Sequence, residues 1–177
     1  ISLLDVDPGS DTNRTVVTFV GTPESILDAA FLAIKKASEI LDMQTHKGAH
    51  ARMGATDVCP LVPVSGISME ECVGLSVKLA EKVAKELDIP IYLYENSALK
   101  SERVNLANIR AGEYEGMADK LKTKKWKPDF GPSALHLSAG VTAIGAREFL
   151  IAYNINLNSC EKKLASDIAL DVREAGR

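Results

Sequence analysis

Apolar residues recur along the chain at two different spacings, and the alternation between them lays out its elements. Ser2 to Asp7, SLLDVD, reads as a buried strand followed by a Pro8-Gly9 turn signal. Asn13 to Gly21, NRTVVTFVG, has the β-branched and aromatic content of a second strand. Thr22 then caps a helix, with Pro23 at its first position and Glu24 in its first turn. Leu27, Ala30, Phe31, Ile34, Ala37, Ile40 and Leu41 return every three or four positions, drawing one buried stripe to about Met43. Cys59 to Val64, CPLVPV, is an apolar strand. Its Pro60 and Pro63 cannot donate ladder hydrogen bonds, so it predicts an edge or irregular strand. Ser68 and Glu71 form a capping box, opening a helix with Cys72, Leu75, Leu79, Val83 and Leu87 on its inner side. Pro90 to Tyr94 is a short strand. The polar stretch from 95 to 130 holds short helices around Val104 to Arg110 and Glu113 to Leu121, with Gly112 as a helix stop. Glu148 to Leu157, EFLIAYNINL, predicts a strong strand, and a last helix carries Ala165, Ile168, Ala169 and Val172.

The order β-β-α-β-α-β predicts an α+β fold. The expected form is a ferredoxin-like two-layer sandwich, with a mixed β-sheet and helices mainly on one face. No GxGxxG follows a strand, so a dinucleotide site has no support. The 177 residues suffice for one compact domain or slightly more. A hydrophobic fraction of 46% beside 25% charged residues belongs to a globular chain and not to a disordered one. The formal net charge of −3 argues against a nucleic-acid binder. Nor does any apolar run reach the length of a membrane span, and no cationic signal-peptide pattern occurs. Cys59, Cys72 and Cys160 lack CxxC spacing, which speaks against a disulfide framework or zinc knuckle and for a reducing cytoplasm. The basic run of Lys120, Lys122, Lys124, Lys125 and Lys127 reads as a solvated surface, with Trp126 as a packing anchor inside it.

Candidate chemistry gathers between residues 45 and 64, THKGAHARMGATDVCPLVPV. His46 and His50 stand four residues apart, flanked by Lys47 and Arg52, with Gly48 and Gly54 permitting tight turns. A loop of that composition between a helix and a strand is a usual place for a site. On the residues alone, His50 reads first as a loop histidine bonding backbone and only second as a group that moves protons near neutrality. A zinc pair of His46 and His50 is weakened by Gly48 between them, by Lys47 where HExxH has glutamate, and by the lack of a third ligand at recognisable spacing. Asp7 reads as a turn residue or as a carboxylate aimed at the site. Arg14, Arg52 and Arg147 supply guanidinium forks suited to carboxylates, and each is equally compatible with a structural place on the surface. Residues 131–140 are small enough to let backbone reach a ligand, or to form a plain loop.

The same stretch, HKGAHARMGATDVCPLVPV, resembles the HxGEHPRMGAxDVCPFxPV signature of glutamate formimidoyltransferases, the folate-dependent transferase half of formimidoyltransferase-cyclodeaminase. LLDVDPGSDTNRTVVTFVGTPE, IRAGEYEGM at 109–117, KPDFGPS at 127–133 and TAIGAREFLIAYNINL at 142–157 extend the resemblance over nearly all 177 residues, in the family's order. It implies transfer of a formimidoyl group from N-formimidoyl-L-glutamate to N5 of tetrahydrofolate, a cosubstrate, with release of L-glutamate and no metal. The family's histidine degradation and one-carbon metabolism follow as the setting. His50 aligns with the family's acid–base histidine and Asp7 with the second aspartate of LLDVD, leaving His46 an orienting or structural partner. Gly131, Pro132, Ser133, Ala134, Leu135, His136, Leu137, Ser138, Ala139 and Gly140 align with the folate-binding segment, where Leu135 and Leu137 are placed to cover a pterin face. Residues 1–149 correspond to an N-terminal subdomain, and 150–177 to the start of a C-terminal one. In the family a strand and a helix precede this point, so the chain reads as truncated. A homo-oligomer and a fused or separate cyclodeaminase are the implied partners. Three departures stand out: Ala49 and Ala51 replace the Glu and Pro beside the family's histidine, and Ala139 replaces a frequent Trp. They leave an inactive folate-binding or assembly module as the alternative.

Overall fold

The computed structural model describes residues 1–151, 155 and 157–173. Its strands form two separate sheets. β1 (Ser2–Gly9) and β2 (Arg14–Val20) pair as an antiparallel hairpin, with Asp7 opposite Val16 and Gly9 opposite Arg14, and a register shift between Leu3 and Asp5. β3 (Val58–Leu61), β4 (Ile91–Leu93) and β5 (Thr142–Ala146) form a parallel sheet in the order β3-β5-β4. β5 is its centre, buried at every residue. β3 lies at an edge, where the missing N–H of Pro60 costs no ladder hydrogen bond.

Helices α1 (Pro23–Ile40) and α2 (Met69–Leu87) begin at the caps legible in the sequence. Thr22 accepts from the Ser25 N–H, and Ser68 and Glu71 close a full capping box. Ala30, Phe31 and Ile34 of α1 meet Leu79, Ala80, Val83 and Ala84 of α2 over Ile91, Leu93 and Ile144 of the sheet. Two further helices, α3 (Leu106–Arg110) and α4 (Glu113–Lys122), bring Ile109, Met117 and Leu121 onto Tyr92, Val141 and Ala143. Ile91 and Leu93 thus point one way and Tyr92 the other, the period-2 alternation of a strand buried on both faces.

The α+β class holds, but in place of one mixed sheet with helices mainly on one face there are an antiparallel hairpin and a separate parallel sheet covered by helices on both faces. The polar stretch from 95 to 130 hides this second layer in the sequence, because so few apolar residues bind it to the sheet. The hairpin also differs from expectation. Leu3, Leu4, Val6, Val16 and Val17 are exposed, so the strand expected to be buried is not. Glu148–Leu157 was expected as a strand, but its described residues 148–151, 155 and 157 take no strand conformation, and the rest lie outside the described residues. A last helix, α5 (Lys162–Val172), follows.

Two arginine–carboxylate pairs set the connecting loops. Arg103, only 1% exposed, pairs with Asp129, donates to the carbonyls of Lys125 (3.2 Å) and Lys127 (2.6 Å), and lies over the Tyr92 ring. It fixes the basic run from beneath, while Trp126 packs edge-on against Tyr92 as the anchor expected. Arg110, at the end of α3, pairs with Asp57, whose other oxygen accepts from the Met53 N–H at 2.9 Å. That contact shapes the entry into β3.

Candidate active site

Three loops converge at the N-terminal end of the parallel strands. Between α1 and β3, residues 41–57 run over the tip of the hairpin on one side and along residues 136–141 on the other. On the hairpin side, the Ala49 N–H donates to the Asp11 carbonyl at 3.0 Å, and Asn13 Nδ2 donates to the Lys47 carbonyl at 2.7 Å. Gly48 lies against the hairpin backbone so closely that a Cβ there would overlap the Thr12 carbonyl. Asn13 itself takes a left-handed conformation (φ 47°), which asparagine tolerates better than most residues. Opposite, the Met43 N–H donates to the Ser138 carbonyl, Ala55 N–H to Ala139 and Val141 N–H to Met53, at 2.9, 2.8 and 3.0 Å.

The two histidines sit differently in this junction. His46 Nε2 lies 2.9 Å from the Asn13 carbonyl and must donate to it. It ties the loop to the hairpin tip, the orienting place expected of it. His50 has Nδ1 2.6 Å from the Ala51 carbonyl and Nε2 2.7 Å from Arg14 Nη1. A carbonyl can only accept and a guanidinium can only donate, so both contacts are satisfied by a neutral ring with its proton on Nδ1. Nε2 is therefore the nitrogen with a lone pair, and Arg14 covers it. Among the described residues no group of three His, Cys, Asp or Glu side chains gathers as a metal site would require.

Asp7 shares a face of the hairpin with Arg14, by strand register and without a side-chain hydrogen bond or ion pair to it. Directly opposed residues of an antiparallel pair share a face, as do residues two apart. Asp7 pairs with Val16 and Gly9 with Arg14, so Asp7 and Arg14 are diagonal neighbours on one face. Arg52, 11% exposed, is already engaged. Its Nη atoms donate to Glu115 (2.7 and 3.1 Å), to Glu113 (3.2 Å) and to the His46 carbonyl (3.1 Å). The Arg52 guanidinium holds the Glu115 carboxyl down at about 2, and the same contact raises the arginine. An open cavity of about 450 Å³ lies here, lined by Lys47, Gly48, Arg52, Gly112, Glu113 and Glu115. Arg147 follows β5 at the other end of the parallel sheet, six residues and so about 20 Å of strand rise beyond residue 141. The structure does not bring it to His50.

The segment from Gly131 to Gly140 divides in two. Gly131 (φ 83°) turns against the Ile89 carbonyl, and Gly140 (φ 71°) bridges to Gly54. Residues 132–135 make no hydrogen bond with other described residues, which leaves their backbone groups to a ligand or to water. Leu135 packs partly into the second core, whereas Leu137 is 62% exposed. His136 is turned inward, its Nδ1 accepting from the Ala139 N–H at 3.1 Å. Tyr114 was not foreseen. Its hydroxyl donates to the Leu137 carbonyl at 2.6 Å and its N–H to the Arg52 carbonyl at 2.9 Å, so it bridges the histidine loop and this segment. Only its place in IRAGEYEGM hinted at it.

Comparison with known proteins gives this junction a family. The profile of the formiminotransferase domain, N-terminal subdomain, matches residues 1–147. The formimidoyltransferase-cyclodeaminase of Dictyostelium discoideum is 54% identical over 176 residues, which cover 99% of this chain and 33% of that protein. The glutamate formimidoyltransferases of Streptococcus pyogenes and Thermoplasma acidophilum are 49% and 46% identical, with 59% and 57% of their lengths covered. The chain thus spans about a third of the first of these relatives and under two thirds of the shorter ones. From its first residue to Arg147, it belongs to the formiminotransferase family, as the N-terminal subdomain.

Proposed function

We propose that the full-length protein transfers the formimidoyl group from N-formimidoyl-L-glutamate to N5 of tetrahydrofolate, with His50 carrying the proton between the two nitrogens. The observation that carries this reading is the ring of His50, fixed by Ala51 so that Nε2 is basic, at the junction of the hairpin tip, the histidine loop and the folate segment. N5 attacks the amidine carbon, the N5–C bond forms, and the proton shed by N5 passes to Nε2. The adduct collapses as the C–N bond to glutamate breaks, and the imidazolium returns the proton to the departing nitrogen. Nδ1 donates to the Ala51 carbonyl throughout, so the ring needs no reorientation between the two steps. Proton transfer of this kind contributes about 10²–10⁴ in rate, and holding two substrates together contributes more.

Arg14 is the donor best placed for a substrate carboxylate, and Asp7, on the same face, is placed to stabilise the positive charge that develops. Arg52 binds a substrate carboxylate only by giving up Glu115 or Glu113. Arg147 has no support from its position. Residues 132–135 offer backbone donors and acceptors to the edge of the pterin, and Leu137 an apolar surface to its face. A cytoplasmic, metal-free enzyme, assembled as a homo-oligomer and working beside a fused or separate cyclodeaminase, completes the reading; among the described residues, no helix is long and apolar enough to cross a membrane. The subdomain boundary at 149/150 is supported by the family match ending at residue 147. The test is to incubate the full-length protein with N-formimidoyl-L-glutamate and tetrahydrofolate and measure L-glutamate release. Folate binding without release would favour a binding module, with Ala49 and Ala51 as the first residues to restore.

A further inference from the structure

We infer that Arg14 is a substrate-responsive cover on His50: it occupies Nε2 until a carboxylate of the donor substrate draws it away. The inference rests on His50 being the proton carrier, and it adds the condition under which the carrier becomes available.

The resting geometry blocks the proposed chemistry. Nε2 is the one lone pair the fixed ring can offer, and Arg14 Nη1 stands 2.7 Å from it. An amine cannot deliver its proton to a nitrogen whose lone pair already accepts a hydrogen bond. Arg14 must leave first, and its surroundings say what would take it. The neighbouring Arg52 is held by two carboxylates, and Arg103 and Arg110 by one each. Arg14 is exposed and, among the described residues, forms no ion pair; its contact is a neutral imidazole. A carboxylate offers a guanidinium two parallel charge-assisted bonds, each about twice as strong as a neutral one. The exchange of imidazole for carboxylate is therefore downhill, and it bares Nε2. Asp7, diagonal to Arg14, and Asp11 and Lys47, whose carbonyls join the hairpin tip to the histidine loop, are charged residues of the surrounding backbone.

Both substrates carry carboxylates, but the donor's α-carboxylate sits on the carbon that bears the formimidoyl nitrogen, whereas those of tetrahydrofolate end its tail, far from N5. A cover released by the donor's carboxylate thus uncovers the base when the formimidoyl group is in place. Arg14 on this account binds the donor substrate and, in doing so, releases His50.

The experiment uses full-length enzyme with imidazole nitrogens labelled in histidine, the His50 signals being assigned by their loss in His50→Gln. The probe is glutarate, a dicarboxylate with no amidine. In the free enzyme Nε2 should show the nitrogen shift of a hydrogen-bonded acceptor and Nδ1 that of a protonated nitrogen. Saturating glutarate should move Nε2 to the free-acceptor value; Arg14→Gln should show that value already and no response to glutarate. Arg14→Gln should also raise KM for the donor about 10–100-fold, with Arg14→Lys recovering part of it. An Nε2 signal indifferent to both glutarate and Arg14→Gln would overturn the cover, as would a proton on Nε2. Turnover of His50→Gln, measured in parallel, keeps the two ideas apart: an inactive variant with an unresponsive Nε2 removes the cover and leaves the base.

Discussion

At the scale of single residues, the placing of charge decides more than its presence. By residue type and surroundings alone His46 and His50 look alike, yet one donates to the hairpin backbone and the other keeps a basic nitrogen turned to Arg14. Arg14 and Arg52 look equivalent too, and the structure separates them by their partners. Composition cannot show this, because Glu113 and Glu115, which engage Arg52, lie more than sixty positions along the chain. Arg52→Ala should lower the Tm of the full-length enzyme by about 2–6 °C, a loss on the order of 1–2 kcal/mol in a domain this size. An unchanged Tm with a raised KM would instead make Arg52 a substrate contact. Glu115 gives a pH signature. Its carboxyl is depressed from the ordinary 4.5 to about 2 by Arg52, so its stabilising effect is complete above pH 4.5 and fades as pH falls toward 2. Glu115→Gln should flatten that part of the acid-denaturation curve slightly, since the pair is largely solvated, and leave stability between pH 6 and 8 with little pH dependence to compare. A steeper acid loss in the variant would contradict the pairing.

At the scale of elements, what was legible follows from how local each signal is. Caps at Thr22 and Ser68, the edge place of β3 and the stripe of α1 from Leu27 to Ile34 rest on neighbours in sequence and appear in the structure, whereas Ile40 and Leu41, expected to continue the buried stripe, are exposed. The hairpin's separation from the parallel sheet and the layer of α3 and α4 rest on distant pairings, which no periodicity reveals. The histidine loop is the clearest case. Its glycines announce tight backbone, but only the folded chain shows that Gly48 is pressed on the Thr12 carbonyl. Gly48→Ala should lift the loop from the hairpin tip, at a cost of about 1–3 kcal/mol, and lose activity beyond what the Tm change explains. The check is kcat measured well below the variant's Tm. Normal turnover there would mean that the hairpin contact does not position His50.

At the scale of the whole molecule, two bodies of unequal stability meet at the site. The parallel sheet is buried on both faces, whereas the hairpin has two strands and exposed apolar residues, and is held by Phe19 against the first core and by hydrogen bonds from its tip to one loop. Two-stranded hairpins are marginal by themselves. Amide hydrogen exchange on these 177 residues should therefore find β1 and β2 opening far more readily than β5, and equal protection would show that Phe19 and the tip bind the hairpin as firmly as the core. Arg14 and Asp7 ride on that less stable body and His50 on a loop beside it, which suits a site that must rearrange when substrate arrives. The central claim is that this junction makes His50 the proton carrier of formimidoyl transfer. It is tested most directly by L-glutamate release from N-formimidoyl-L-glutamate in full-length His50→Gln and His46→Gln, with tetrahydrofolate binding measured in both. The account predicts that His50→Gln loses about 10²–10⁴ in kcat while still binding tetrahydrofolate, and that His46→Gln loses much less. Wild-type turnover by His50→Gln, or a larger kcat loss in His46→Gln, would contradict it.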